Sequence, residues 1–318
     1  MDEDLTYRRA THDDHDDVVG FTENTWADRG GSDYIPRIYH DWLEDEDEYD
    51  RQYTCVAEVD GRVVSIAQTV LLSGHEAWCQ GMRTDPAYRG TGIGLELTHE
   101  MWDWARERGA TVARNMVFSW NVAGLGHSRG VGFGPATEFR WMHPKPNADA
   151  SGSDALDTTD DPAQAWSYWT DSPARDHLVG LGLAMDESWA VVELTKEKFA
   201  RTSENTMLAT VTSDEGLRGV TYRVRDYERP NEDDELVHWA EYGVAAWEPG
   251  DLDALRELVA AIRRDAAELG AERTRVLVPE TVEFVSDVSA LRTEISDEPD
   301  FVMAADLTAD YRGRFGSS

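Results

Sequence analysis

The sequence predicts an α/β chain built from two tandem, internally similar units. Three observations carry that prediction. Its 318 residues suit two domains, at roughly 100–200 residues each. Shifted by 161 positions without gaps, residues 78–118 find nine identities in 41 positions of the second half; among them, Trp78 meets Trp239, Gly109-Ala110 meets Gly270-Ala271, and Arg114 meets Arg275. Strand, amphipathic helix and strand also follow in the same order in both copies.

Residues 5–9 read as a short strand, 13–25 as a polar-to-apolar helix and 33–43 as a second short helical stretch. A hairpin follows. Its apolar runs, 54–59 and 62–72, are joined by Asp60-Gly61, residue types that tolerate the positive φ of a tight turn. A further strand spans 76–84. Ile93, Leu97, Met101, Trp104 and Ala105 then share one helical face, so 93–108 is an amphipathic helix that Gly109 ends. Strand 111–118, a short Gly-rich helix to about residue 130 and strand 136–141 complete the first unit. Residues 143–162 carry three prolines and many Asp, Ser and Thr, the composition of a linker. The expected division is therefore 1–145, a linker over 146–162, and 163–318. The second unit reads as helix 163–181, strand 189–194, a helix start at Thr195, strands 207–212 and 218–225 joined at Glu215-Gly216, and strand 237–246. A strong amphipathic helix over 251–269 follows on Leu255, Leu258, Val259, Ile262 and Ala266, and then strand 275–278.

Charge narrows the function. Asp and Glu number 63 against 30 Lys and Arg, a formal net charge of −33. Such a surface repels phosphate backbones and anionic lipid, which argues against a nucleic-acid or membrane partner. No apolar run reaches the roughly 18 residues of a membrane span, and the start lacks a secretory apolar core, so a cytoplasmic location is expected. Two cysteines, Cys55 and Cys79, make no disulfide scaffold, and neither CxxC nor HExxH spacing occurs, so no metal is expected. The aromatic content, with 12 Trp, marks a folded chain under an acidic coat. Only Lys145, Lys196 and Lys198 are lysines, and the pattern resembles the cytoplasmic proteins of extreme halophiles. In molar salt the Debye length falls to about 3 Å, and the carboxylates then hardly repel one another.

The chemistry concentrates between the fourth strand and the helix after it. Met82-Arg83-Thr84 leads through Asp85-Pro86 to Arg89-Gly90-Thr91-Gly92-Ile93-Gly94, an RxxGxG pattern. Glycines let a backbone approach an anion closely, and a helix N-terminus offers free amides with partial positive charge. A pyrophosphate suits that place. The third glycine of a dinucleotide fingerprint and the lysine of a phosphate-binding P-loop are both missing.

The whole phrase resembles motif A of the GNAT-type N-acetyltransferases, and the resemblance extends over about 5–141. Asn121, with Gly132-Phe133 after it, resembles that family's next motif. The resemblance implies two tandem GNAT-like domains, each a mixed, mostly antiparallel sheet flanked by helices, and acetyl-CoA as co-substrate. Residues 89–94 would hold the pyrophosphate. The backbone of Met82 and Thr84 would pair with the pantetheine arm, an amide near Met82 would polarise the thioester carbonyl, and Asn121 would contact the arm. The family's usual base position falls on Trp78, which cannot serve; Glu76, on the same strand face, is the candidate base, beside its plain reading as a strand-end carboxylate. The usual acid position holds Ser128, next to His127. In the second half the glycines give way to residues 250–255, Gly-Asp-Leu-Asp-Ala-Leu, whose carboxylates cap a helix and repel phosphate. The phrase at 31–42 also resembles the vertebrate histidine N-acetyltransferases and their microbial relatives. There Asp33 is the candidate receptor for a cationic amine, and Tyr34 and Trp42 are candidate pocket walls. The expected activity is transfer of acetyl to a small-molecule amine or an amino acid by direct attack. A protein N-terminal acetyltransferase and a non-catalytic acyl-CoA sensor stand as alternatives.

Overall fold

The computed structural model describes residues 4–25, 33–43, 50–231, 235–309 and Arg312. In chain order the first elements are β1 (Leu5–Arg9), α1 (His15–Thr22), α2 (Ile35–Ile38), β2 (Gln52–Val59), β3 (Arg62–Leu71), β4 (Glu76–Thr84), α3 (Ile93–Glu107), β5 (Val112–Phe118) and α4 (Val122–Val131). Then come β6 (Gly134–Met142), β7 (Asp157–Thr159), α5 (Pro162–Thr170), α6 (Pro173–His177), β8 (Leu181–Leu183), β9 (Val191–Glu193), α7 (Lys196–Asn205), β10 (Leu208–Ser213) and β11 (Gly216–Pro230). The last are β12 (Leu236–Trp247), α8 (Leu252–Glu268), β13 (Arg273–Pro279), α9 (Val282–Ala290) and β14 (Asp300–Asp306).

The chain forms two compact units, and neither is one continuous stretch. The first comprises Met1–Val117, Asn121–Pro135 and Met303–Ser318; the second comprises Phe118–Trp120 and Ala136–Val302. Strand β6, expected to finish the first unit, thus runs mostly in the second, while the end of β14 lies in the first.

In the first unit β1, β2, β3 and β4 are antiparallel neighbours, and β5 lies parallel to β4. The hairpin turn has positive φ at both Asp60 (51°) and Gly61 (83°), the signature of the tight turn that Asp-Gly favours. Alternation along β2 and β3 splits their apolar side chains between two layers. Cys55, Ala57, Val64 and Ala67 pack with Leu97, Met101 and Ala105 of α3. Val56, Val63 and Ile66 pack with Val18, Ile35 and Tyr39. Each fully buried large side chain here contributes on the order of 1.5–3 kcal/mol. Met303, Ala305 and Leu307 join the α3 layer, and the Leu307 amide donates to Thr111 O at 2.9 Å.

In the second unit β7, β10, β11 and β12 are antiparallel neighbours, β13 lies parallel to β12, and β6 lies antiparallel to β13. The amphipathic face of α8 is buried, with Leu255, Leu258 and Ile262 at 0% exposure. Each unit is a mixed, mostly antiparallel sheet flanked by helices, as expected. The stretch expected as a linker is laid down on α8. Arg263 Nε donates to Lys145 O, Arg264 Nη1 donates to Ala150 O, and the Ser153 amide donates to Glu257. The expected helix over 163–181 is two helices. Ser172 Oγ caps the second by accepting from the Arg175 amide, and Pro173 has no amide with which to continue the first.

Candidate active site

Strand β4 is bent where the chemistry was expected. Ile66 pairs with Arg83 and Gln68 with Gln80, so Gly81 and Met82 together oppose Ala67 alone. This is a β-bulge. Gly81 takes φ +67°, and a Cβ there would lie 2.3 Å from Trp42 Cη2. Only glycine satisfies both demands. Pairing of β4 with β5 covers Glu76–Trp78 against Val112–Arg114 and stops. Beyond that rung both strands continue unpaired to each other. Their backbones then face an opening, with α3 starting at its mouth.

The loop at that mouth is built tightly. Asp85 Oδ1 accepts from the Ala87 amide at 2.9 Å, and Arg89 Nε donates to Thr84 O at 3.3 Å. Gly90 and Gly92 take φ +77° and +92°. The Leu95 and Glu96 amides close on Gly92 O, and the Thr91 hydroxyl donates to Tyr88 O. Among the described residues the Ile93 and Gly94 amides take no acceptor, so two first-turn donors remain for a ligand. A Cβ at Gly94 would stand 3.2 Å from Thr84 Oγ1 and 3.4 Å from His127 Cε1. The glycine keeps a narrow face open beside those donors. This donor set, the helix dipole and the bare backbone of β4 suit a phosphate-bearing chain such as that of CoA. The loop residues Arg89, Gly90, Thr91, Gly92, Ile93 and Gly94 are thus brought together with Met82, Arg83 and Thr84.

The expected catalytic and acceptor residues are placed differently from their sequence roles. Glu76 is buried, with Arg114 Nη1 at 2.7 Å on one carboxylate oxygen and Ser73 Oγ at 2.8 Å on the other. At about 3.3 Å per residue it stands roughly 20 Å along β4 from Met82. A base must reach the proton it removes, so the geometry gives Glu76 a structural role. Ser128 is 1% exposed, and its Oγ accepts from Asn115 Nδ2 at 3.0 Å. Asn121 caps α4, its Oδ1 accepting from the Gly124 amide at 2.9 Å. Asp33 is engaged by Arg83, with Nε donating to Oδ2 at 2.6 Å and Nη2 to Oδ1 at 3.3 Å, while the Ile35 amide also donates to Oδ1. A carboxylate already neutralised in this way is a poor ammonium receptor. Tyr34 remains 38% exposed, lying edge-on to Trp42 and over the Arg83 guanidinium. Gly31 and Ser32, from the same phrase, lie outside the described residues. Burial pushes the Cys79 thiol up to about 11, which fits a core role for it.

One site residue, Asn115, went unrecognised in the sequence, and another, His127, stood out there only as the neighbour of Ser128. Asn115 Oδ1 is buried with no hydrogen-bond partner among the described residues, on β5 just past the last paired rung. His127 lies against the first turn of α3, and burial, with a smaller effect of His99, lowers it to about 4. No single residue signals either; only the folded strand–helix contact reveals them.

The equivalent place in the second unit is closed. Asp251 Oδ1 caps α8 by accepting from the Ala254 amide, and its other oxygen accepts from Arg218 at 2.8 Å. Carboxylate occupies the position that glycine leaves open in the first unit.

Residues 16–126 match the model of the acetyltransferase (GNAT) family. A histidine N-acetyltransferase of Xenopus tropicalis is 26% identical over 94 residues, 29% of this chain and 27% of that protein. The chain therefore spans about a quarter of the length of that curated relative. A GCN5-related N-acetyltransferase from Sphaerobacter thermophilus shares the fold at TM-score 0.61 and 12% identity, covering 95% of this chain and 96% of that one. A tandem GNAT protein from the clavulanic acid biosynthesis pathway does so at TM-score 0.53 and 13% identity, covering 96% and 99%. The bulged strand pair and its glycine loop lie inside the segment, residues 16–126, that is similar to the acetyltransferase (GNAT) family.

Proposed function

We propose that the protein is an N-acetyltransferase that moves acetyl from acetyl-CoA to the primary amine of a small molecule or amino acid by direct attack. The observation that carries this reading is the opening between β4 and β5, with free first-turn amides at its mouth. Acetyl-CoA supplies the activated thioester. The Ile93 and Gly94 amides hold the pyrophosphate, the bulge at Gly81 and Met82 turns backbone donors toward the acyl carbonyl, and Asn115 Oδ1 offers the arm an acceptor. With Glu76 held by Arg114 and Ser73, the amine loses its proton to water in the opening. A thiol of pKa about 8.5 leaves as thiolate without a strong acid, so Ser128 suffices at that position. The likeness to a histidine N-acetyltransferase supports an amino-acid acceptor. The second unit, capped by Asp251 at the equivalent helix start, binds no CoA. The acidic, lysine-poor coat supports a cytoplasmic protein working in concentrated salt.

Calorimetry of acetyl-CoA binding in molar KCl, wild type against Gly92→Glu, tests the reading. Saturable binding by wild type that the variant loses supports it, and an amine screen that includes histidine then identifies the acceptor. No binding by folded wild type overturns it. The engaged Glu76 favours one rival, a CoA binder without turnover. Binding with no transfer to any amine would establish that rival.

A further inference from the structure

The hydrogen bonds around His127 fix its tautomer. Thr98 is 2% exposed, and its hydroxyl donates to Gly94 O at 2.9 Å. A hydroxyl has one proton. The contact between Thr98 Oγ1 and His127 Nε2, 3.3 Å long, therefore has the ring donating Nε2–H and the hydroxyl accepting. In the neutral ring the other nitrogen, Nδ1, is then a bare lone pair. It makes no hydrogen bond among the described residues and lies 3.8 Å from the Cβ position of Gly94. Gly94 carries one of the two free first-turn amides. Nδ1 therefore lies beside the place where phosphate oxygens settle in the proposed function, on which this inference rests. A lone pair facing an anion repels it. Proton uptake at Nδ1 converts that nitrogen to a charged donor and reverses the sign of the interaction.

We propose that His127 reads the cofactor's pyrophosphate through a proton: the ring is neutral in the free protein and becomes imidazolium when the anion occupies the first turn of α3. The surroundings leave this titration to His127. From α3 it meets His99, whose Nε2 faces Val131 O at 3.3 Å, and Thr98. From β4 the polar atom near the same face is Thr84 Oγ1. On α4 itself, Arg129 is turned to Phe133 O. Among these groups no carboxylate stands ready to charge the ring before the ligand arrives. The free ring, low at about 4, then gains its proton only on binding. Affinity follows. It is highest in acid and falls as pH rises from the free value through the bound one, by up to about tenfold per pH unit, and is flat on either side.

The test is calorimetry with dephospho-CoA, which keeps the pyrophosphate diester but lacks the 3′-phosphate that would itself titrate at about 6. Titrations near pH 5 in two buffers of different ionisation enthalpy count the protons taken up. Wild type is expected to take up about half a proton or more per ligand beyond H127Q, and to bind at least about fivefold more weakly at pH 7 than at pH 5. H127Q keeps a donor for Thr98 and is expected to show neither effect while still binding. Equal proton uptake by both proteins, with binding intact, overturns the role of His127 and leaves the CoA reading standing. No binding by folded wild type at either pH overturns both. Should H127Q fail to fold, the wild-type His127 ring is titrated by NMR with and without ligand. A rise of at least about one pH unit on binding supports the proposal, and no rise overturns it.

Discussion

Arg114 on β5 reaches back along the sheet to Glu76 on β4, closing a buried ion pair at 2.7 Å beside the last rung at which the two strands pair. The pair holds the strands together just before they part. Glu76→Gln leaves the Arg114 charge uncompensated and is expected to cost roughly 3 kcal/mol in urea unfolding. In the proposed mechanism Glu76 moves no proton. Acetyl transfer per folded molecule should therefore stay within about threefold of wild type, and its pH profile should keep its shape. A collapse of turnover in folded enzyme would restore Glu76 as the base.

Asp33 and Arg83 tie the start of the α2 segment to the bulged strand, and Trp42 lies on Gly81 beside them. Asp33→Ala should raise KM for the acceptor while moving acetyl-CoA affinity less than about threefold, since the loop at 89–94 is held by other bonds. Steady-state kinetics read against calorimetry check this.

Burial raises Asp300 to about 6 from 3.8, against the opposing help of Trp141 Nε1 at 2.8 Å and the Arg275 charge. The folded state then holds a proton that the unfolded chain releases. This contribution is full below about 3.8 and is lost as pH rises through 6. Asp300→Asn should stabilise the fold at pH 7 by on the order of 1–3 kcal/mol and have little effect near pH 4. Urea midpoints at the two pH values in the same salt give the comparison.

Leu307 is 1% exposed in the apolar layer beneath α3. Leu307→Ala should cost about 2–5 kcal/mol. Hydrogen exchange should place the loosening in β5 and α3, far from residue 307 in the sequence. Exchange confined to the last residues would contradict the placement of this segment.

The net charge of −33 predicts a salt requirement. Unfolding midpoints should rise steeply between about 0.1 M and 1 M KCl, where the Debye length falls from about 10 Å to 3 Å, and level off beyond.

The loop and its helix were legible because their signals are local. Glycine at positive φ, the i, i+4 spacing of Ile93, Leu97, Met101 and Ala105, and the Asp-Gly turn each act within a few residues. The break at Ser172-Pro173 was equally local, and the rule for the residue before proline would have found it. The state of the carboxylates was not legible. Asp33 meets Arg83 fifty positions on, and Glu76 meets Arg114 thirty-eight on, so whether either is free depends on strand register. The tautomer of His127 needs two hydrogen bonds, one within α3 and one joining α3 to α4. The composition of the units was hidden for another reason: Met303 and Ala305 of β14 pack in the first unit while its earlier residues lie in the second, and sequence order alone does not show where a strand docks.

The packing of Met303, Ala305 and Leu307 in the first unit sets a timetable for biosynthesis. Between Val117 and Met303 the ribosome must add the whole of the second unit, which at about 5–20 residues per second takes roughly 10–40 s. Throughout that interval the emerged β5 and α3 lack the side chains of Met303, Ala305 and Leu307 that cover them in the finished fold. The N-terminal half leaves the ribosome first yet completes its core last, and a nascent chain paused before residue 303 would present a sticky, protease-sensitive surface to whatever escorts it.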